Sequence, residues 1–275
     1  VVIPTPYWMT FSEQVKLAGG EPILAPTSEA EGFRVTADVV APVIGERTRI
    51  LLVNVPGNPT GAVIDDAELR RLGDLVRDRD LFFLWDDTYA RLMFEKPPAE
   101  ALRHVQNLLT DRFIIAGTAS KAYAMTGWRI GWAMGSKEII DACASLQSHM
   151  TSNASSIAQK ACLEAVRSDQ GPLAEMISEY RFRAWRLRAG LLENEKMRCA
   201  EPGGGFYLFP NVSKYLRRGE GTTDLAASLL KEERVAVVPG PAFGCEGHLR
   251  VSFATSRERI EEGIRRVKRF FEKRS

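Results

Sequence analysis

The stretch RILLVNVPGNPTGAVIDDAELRRLGDLVRDRDLFFLWDD (residues 49–87) reads as strand, turn, helix and strand in succession. Residues 49–56 are an apolar run of strand length. Residues 65–80 open with acidic side chains and set Leu69, Leu72, Leu75 and Val76 on one helical face, because positions three and four apart share a face. Residues 81–87 are apolar up to a pair of aspartates. Two buried strands joined by an amphipathic helix form the repeating unit of a parallel sheet covered by helices.

Neighbouring segments extend that unit. EPILAP (21–26), RFIIAGTAS (112–120) and IGWAMG (130–135) are further strands, and the opening VVIPTPYW begins inside one. The interval between 87 and 112 reads as a Pro-containing loop. From about residue 137 the pattern is helical through 165, and residues 172–195 form a long helix that links two domains, 1–170 and 171–275. The second is smaller and mixes short strands with helices. Its last helix starts at Thr255 or Ser256, with Thr255 and Glu258 at capping-box spacing and an apolar stripe of Ile260, Ile264, Val267, Phe270 and Phe271.

Composition excludes several classes of function. The formal charge of +2 is spread over 37 basic and 35 acidic side chains, so no nucleic-acid footprint is expected. The four cysteines lie far apart, without a zinc or disulfide pattern, and none of the three histidines stands at helical ligand spacing from another. No metal is expected. No apolar run has the length of a membrane span and no signal segment opens the chain, so the expectation is a cytoplasmic protein with no membrane partner.

In open α/β sheets ligands bind beyond the carboxyl ends of the strands. Three successive strand ends there deliver Asn58, then Asp86 and Tyr89, then Thr118, Ser120 and Lys121. An amine desolvated among small residues loses its proton readily and forms a Schiff base with an aldehyde. Pyridoxal 5'-phosphate needs such an amine, a carboxylate for its ring nitrogen, which Asp86 supplies, and phosphate ligands, for which Arg129, Thr118 and Ser120 are candidates. Taken singly, these residues have plainer readings. Asn58-Pro59-Thr60-Gly61 is good turn chemistry, Asp86 is a loop cap, and a lone lysine is usually solvated.

With these residues placed, the chain resembles the class I/II aminotransferases of the fold type I pyridoxal-phosphate enzymes, in the aspartate and aromatic branch. The resemblance runs over essentially all 275 residues. It is carried by PTPYW, NPTGAV, DDTY, SKAYAMTGWRIG, GGFYLFPNVS, VAVVPGPAFG and HLRVSFATS. It implies an α/β fold, a mostly parallel sheet with helices on both faces plus a smaller C-terminal α+β domain. It implies a ping-pong transfer of an amino group between an L-amino acid and a 2-oxo acid in a homodimer. Lys121 becomes the Schiff-base lysine and acid–base group, Asp86 the partner of the ring nitrogen, and Tyr89 and Asn58 the partners of the phenolic oxygen. Trp8 stacks on the ring; Thr118, Ser120 and Arg129 take the phosphate; Arg250 takes the substrate α-carboxylate, with Trp8 and Asn58 also lining the substrate. The pattern departs from the family at Gly57 and Thr118, where relatives often carry Asn and Ser. Relatives also carry a long segment ahead of PTPYW, with further phosphate contacts, so the chain reads as N-terminally incomplete. Two alternatives stay open: a lyase or synthase on the same scaffold, and a fragment without activity.

Overall fold

In the computed structural model residues 1–95 and 97–274 are described. Strands β1 (Val2–Thr5), β2 (Ile23–Pro26), β3 (Ile50–Asn54), β4 (Phe82–Asp86), β5 (Phe113–Thr118) and β6 (Gly131–Met134) form one sheet in the order β2-β1-β3-β4-β5-β6. Neighbours are parallel except β6, which runs antiparallel to β5 at the edge.

The two-residue period of a strand sends alternate side chains to opposite faces. Leu51, Val53, Phe83, Trp85 and Phe113 join one core with helices α2 (Ala37–Val40), α3 (Asp66–Asp78) and α4 (Ala99–Leu109). Ile3 and Leu52 point the other way, against Phe11 and Val15 of helix α1 (Thr10–Leu17). Both faces are therefore covered, as parallel strands with apolar residues on each side require. Helix α3 starts where Asp65 accepts a hydrogen bond from the Glu68 backbone N–H at 2.8 Å, an N-cap of ordinary chemistry.

Helices α5 (Lys137–Met150) and α6 (Ser156–Arg167) lead into α7 (Gly171–Leu192). Beyond it lie β7 (Tyr207–Leu208), α8 (Thr222–Glu233), β8 (Val238–Pro239), β9 (Leu249–Ser252) and α9 (Arg257–Glu272). The three strands form a small antiparallel sheet in the order β7-β9-β8. A separate core runs from Ala184 to Phe271 and buries the whole stripe Ile260, Ile264, Val267, Phe270 and Phe271.

Three expectations need correction. The interval read as a loop contains α4, which buries Ala101, Val105 and Leu109 on one side; the prolines at 97 and 98 precede the helix rather than break it, a position proline tolerates. The helical run 137–165 is broken at 151–155. There Ser152 is left-handed, and Asn153 and Gln159 both donate to the Ala154 carbonyl, so side chains compete with the helical backbone. The last helix is capped by Ser256, which accepts from the Arg259 N–H at 3.4 Å, and not by a Thr255–Glu258 box.

The α3–α4 seam sets a test of packing. A Cβ on Gly73 would lie 2.7 Å from Val105 Cγ2, whereas one on Gly263 in α9 meets nothing within 4 Å. Gly73→Val is expected to destabilise the fold by about 1–3 kcal/mol through overpacking, and Gly263→Ala to stabilise it by roughly 0.5–1 kcal/mol through helix propensity. Urea denaturation of the two variants beside the parent checks both signs.

Candidate active site

The register of the sheet brings the strand ends together: Asn54 on β3 lies opposite Asp86 on β4, and Asp86 opposite Ala116 on β5. Asn54 fastens this rim. Its Nδ2 donates to the Asp86 carbonyl at 3.3 Å, and its Oδ1 accepts from the Asn58 N–H at 2.9 Å. The turn so closed buries Asn58, whose Oδ1 accepts from Arg250 Nη1 at 2.9 Å across 192 residues of sequence.

A second joint lies beside the first. Gly61 has φ +70°, the left-handed region that favours glycine, and its carbonyl accepts from the Gly203 N–H at 2.8 Å. A Cβ there would lie 2.5 Å from Pro202 Cβ and 2.9 Å from the Gly204 carbonyl oxygen. The NPTG turn and the PGGG turn thus meet backbone to backbone. A third tie is Glu29, which accepts from Arg198 at 3.1 Å and from Asn211 at 2.7 Å and lies 3.5 Å from His248 Nε2. The C-terminal part of the chain, which carries Arg250, is therefore tied to the turns of the large sheet at three places.

Each residue singled out from sequence has a definite place. Asp86 is mostly buried, accepts from the Thr88 N–H at 2.9 Å, and its carboxyl is pushed up by burial, against the pull of Thr88 and Asn54. Tyr89 is buried edge-on to Phe206 and Tyr207; burial and Tyr207 raise its phenol above the usual range. Lys121 sits in the turn after β5 with Nζ 6.0 Å from the Phe206 ring centre. Burial, then the charges of Arg129 and Arg250, lower its amine below the ordinary lysine value.

Thr118 and Ser120 close that turn. The Ile130 carbonyl can only accept, so the Thr118 hydroxyl proton goes to it at 2.8 Å, and Ser120 is left to donate to Thr118 Oγ1, also at 2.8 Å. Arg129 has left-handed backbone and donates to the Thr126 carbonyl at 2.8 Å within its own turn. Trp8 is 39% exposed, edge-on to Phe11, and lines a cavity with Tyr7, Asn54 and Asn58. Sequence reasoning missed Asn54, Phe206, Tyr207 and Phe243. Asn54 reads as the last residue of a strand, and the rings lie on distant segments whose approach has no local signal.

The donor set fits pyridoxal phosphate. Among the described residues Lys121, Arg129 and Arg250 have no carboxylate partner, although ion pairs are frequent elsewhere on the surface. Three uncompensated cations repel one another, and anionic groups such as a phosphate are the charge they lack. A buried acid, a phenol and an amide complete the set a pyridine ring and its phenolic oxygen need.

The profile of the family "Aminotransferase class I and II" matches residues 1–267. The chain belongs to this family. It is 39% identical to the aspartate aminotransferase of Bacillus subtilis, over all of this chain and 70% of that protein. It is 33% identical to the asparagine–oxo-acid transaminase of Streptococcus mutans, over 99% of this chain and 70% of that one. The crystal structure of the Rhizobium meliloti aspartate aminotransferase superposes with a TM-score of 0.93 at 36% identity, covering 100% of this chain and 70% of that chain. An aromatic aminotransferase from Pyrococcus horikoshii gives 0.92 at 32% identity, over 99% and 73%. This class I and II aminotransferase has the fold type I architecture, uses pyridoxal phosphate, and is a transaminase of amino acids and 2-oxo acids. Among the described residues no helix is long and apolar enough to cross a membrane.

The electrostatics of Lys121 can be read directly. Arg129→Gln removes a positive neighbour, so the Lys121 amine should rise toward its ordinary value and lose nucleophilicity at fixed pH. The onset of Lys121 acylation, followed by peptide mass spectrometry across a pH series, should move to higher pH in the variant. An onset that moves lower, or not at all, contradicts the assigned cause.

Proposed function

We propose that Lys121 carries the cofactor and moves the substrate's Cα proton, while Arg250 holds the α-carboxylate of the amino acid or 2-oxo acid. The observation that supports this best is the condition of Arg250: a half-buried guanidinium fixed by Asn58, with no carboxylate of the protein upon it among the described residues. Such a cation takes a planar carboxylate in a two-pronged pair.

Bound pyridoxal phosphate supplies an electron-withdrawing ring that makes the substrate Cα–H acidic. The protein's part is positioning and proton transfer. Lys121, its amine lowered by burial and by Arg129 and Arg250, gives up its proton more readily than an ordinary lysine and is the base assigned to the Cα proton. Asp86, whose carboxyl burial raises, would be the partner of the ring nitrogen, and a positive charge there would draw it toward its ionised form. The Asn58 amide oxygen is taken by Arg250, so its NH2 group is the part left to donate to the phenolic oxygen, alongside the Tyr89 hydroxyl. Trp8 covers a ring face and lies near the substrate. Arg129 takes the phosphate, Ser120 joins it by turning its hydroxyl proton from Thr118 Oγ1 to the anion, and Thr118, held on the Ile130 carbonyl, positions Ser120. Residues 1–170 form the cofactor-binding domain, and 171–275 bring Arg250 to it.

The chain acts as a homodimer in this reading. Trp128, Leu146, Met150, Ile157 and Leu163 are exposed apolar side chains within one stretch of the sequence, more than a surface with no partner usually shows. Four free cysteines are in keeping with a reducing cytoplasm.

Two experiments test the proposal. With pyridoxal phosphate and borohydride, the label should fall on Lys121. In a separate, unreduced sample supplied with a 2-oxo acid to take the amino group, aspartate, the substrate in the relatives' names, should yield its 2-oxo acid without ammonia, whereas equal release of ammonia indicates a lyase. Lys121→Ala should lose about 10²–10⁴-fold in kcat, and Arg250→Ala roughly 10- to 100-fold in kcat/KM, the worth of a charge-assisted hydrogen-bonded pair. Sedimentation should give a dimer for the parent and a shift toward monomer for Met150→Asp with Ile157→Asp; a parent monomer overturns the dimer.

A further inference from the structure

Arg250 is gripped by two aromatic rings that no motif reading assigned. Its guanidinium carbon lies 4.3 Å from the Tyr207 ring centre and 4.8 Å from that of Phe243. The sheet explains the first contact. Tyr207 on β7 pairs with Ser252 on β9, and Arg250 is two residues back on the same face, so the two side chains are diagonal neighbours. The second ring arrives from the short turn 240–243 after β8, the strand whose Val238 pairs with Arg250. That turn is pinned from the other lobe: the Phe243 carbonyl accepts from the Tyr7 N–H at 3.2 Å, and the ring packs edge-on against Phe209.

We infer that Tyr207 and Phe243 are positioning residues that hold the Arg250 guanidinium for a substrate carboxylate, their two rings and the Asn58 amide fixing the cation while its remaining donors stay free. The inference rests on the reading of Arg250 as the carboxylate site and deepens it. A protein carboxylate in the same place would orient the arginine equally well but would occupy the donors that the substrate needs. Rings attract the cation through their faces and make no claim on its N–H groups. They also exclude water, which strengthens the pairing with an incoming anion. The Tyr207 hydroxyl is not part of this grip. It meets Tyr89, so Tyr207→Phe keeps the ring against Arg250 and alters only that contact.

The experiment measures, on the cofactor-loaded chain, KM and kcat with an amino acid and, by calorimetry, the dissociation constant of succinate as an unreactive carboxylate. Tyr207→Leu and Phe243→Leu should each weaken succinate and raise KM about three- to ten-fold, the worth of one cation–π contact. Tyr207→Phe should leave both within about two-fold of the parent, since the ring that makes the contact is kept. The inference is overturned if both leucine variants, folded by thermal melting, bind succinate like the parent while Arg250→Ala loses it. It is overturned equally if Tyr207→Phe weakens succinate as much as Tyr207→Leu, which would assign the effect to the hydroxyl. Arg250→Ala binding succinate like the parent overturns the reading of Arg250 itself, a separate result. Should one leucine variant fail to fold, the other ring and Tyr207→Phe decide the matter.

Discussion

The hydrogen bond from Arg250 to Asn58 joins a strand of the small sheet to the turn that ends a strand of the large one, and the geometry of the site follows from it. Arg250 is half-buried, where an unpaired charge is costly, and the residues that meet the cost are an amide and two rings rather than an acid. Asn58 reaches it only because Asn54 closes the turn beneath, and Asn54 is placed by its register with Asp86. Moving any of the three would move the others. The contacts of Gly61 with Gly203 and of Glu29 with Arg198 and Asn211 hold the same two bodies together from the sides.

The electrostatic pattern runs against folding at one spot. Across most of the surface, arginines and lysines find carboxylates, as Arg257 and Arg183 do with Glu179, whose carboxyl their hydrogen bonds hold down at about 2. Around Lys121 the reverse holds. Burial lowers its amine, and two guanidiniums add to the effect. Such an arrangement destabilises the charged form of the lysine and is relieved by anions from outside, which in the proposed reading are the cofactor phosphate and the substrate carboxylate.

How much of this was legible in the sequence depended on distance along the chain. The unit β3–α3–β4 could be read because its apolar residues follow the periods of strand and helix, and an aspartate caps the helix. Lys121, Asp86 and Asn58 could be singled out as candidates because each lies at the end of a strand or within the turn just beyond it. Helix α4 was hidden by the prolines before it, and the break at 151–155 by polar residues that look tolerable in a helix singly. Asn54 carried no mark, and Tyr207 stood inside the stretch GGFYLFPNVS without a role of its own. Their importance comes from what lies opposite in the sheets, and pairing partners are set by the whole fold rather than by neighbours in sequence.

The contact of Gly61 with Pro202 and Gly204 has a bearing on how this sequence can change. Gly61 presents bare backbone to the Pro202 ring and the Gly204 carbonyl, so a side chain added there has no room unless the facing turn changes too. The two turns lie far apart in the chain and belong to different sheets, yet neither has a range of tolerated residues that can be stated without naming the other. Their substitutions should be inherited as a pair, and a variant that is harmless in one background will be disabling in another.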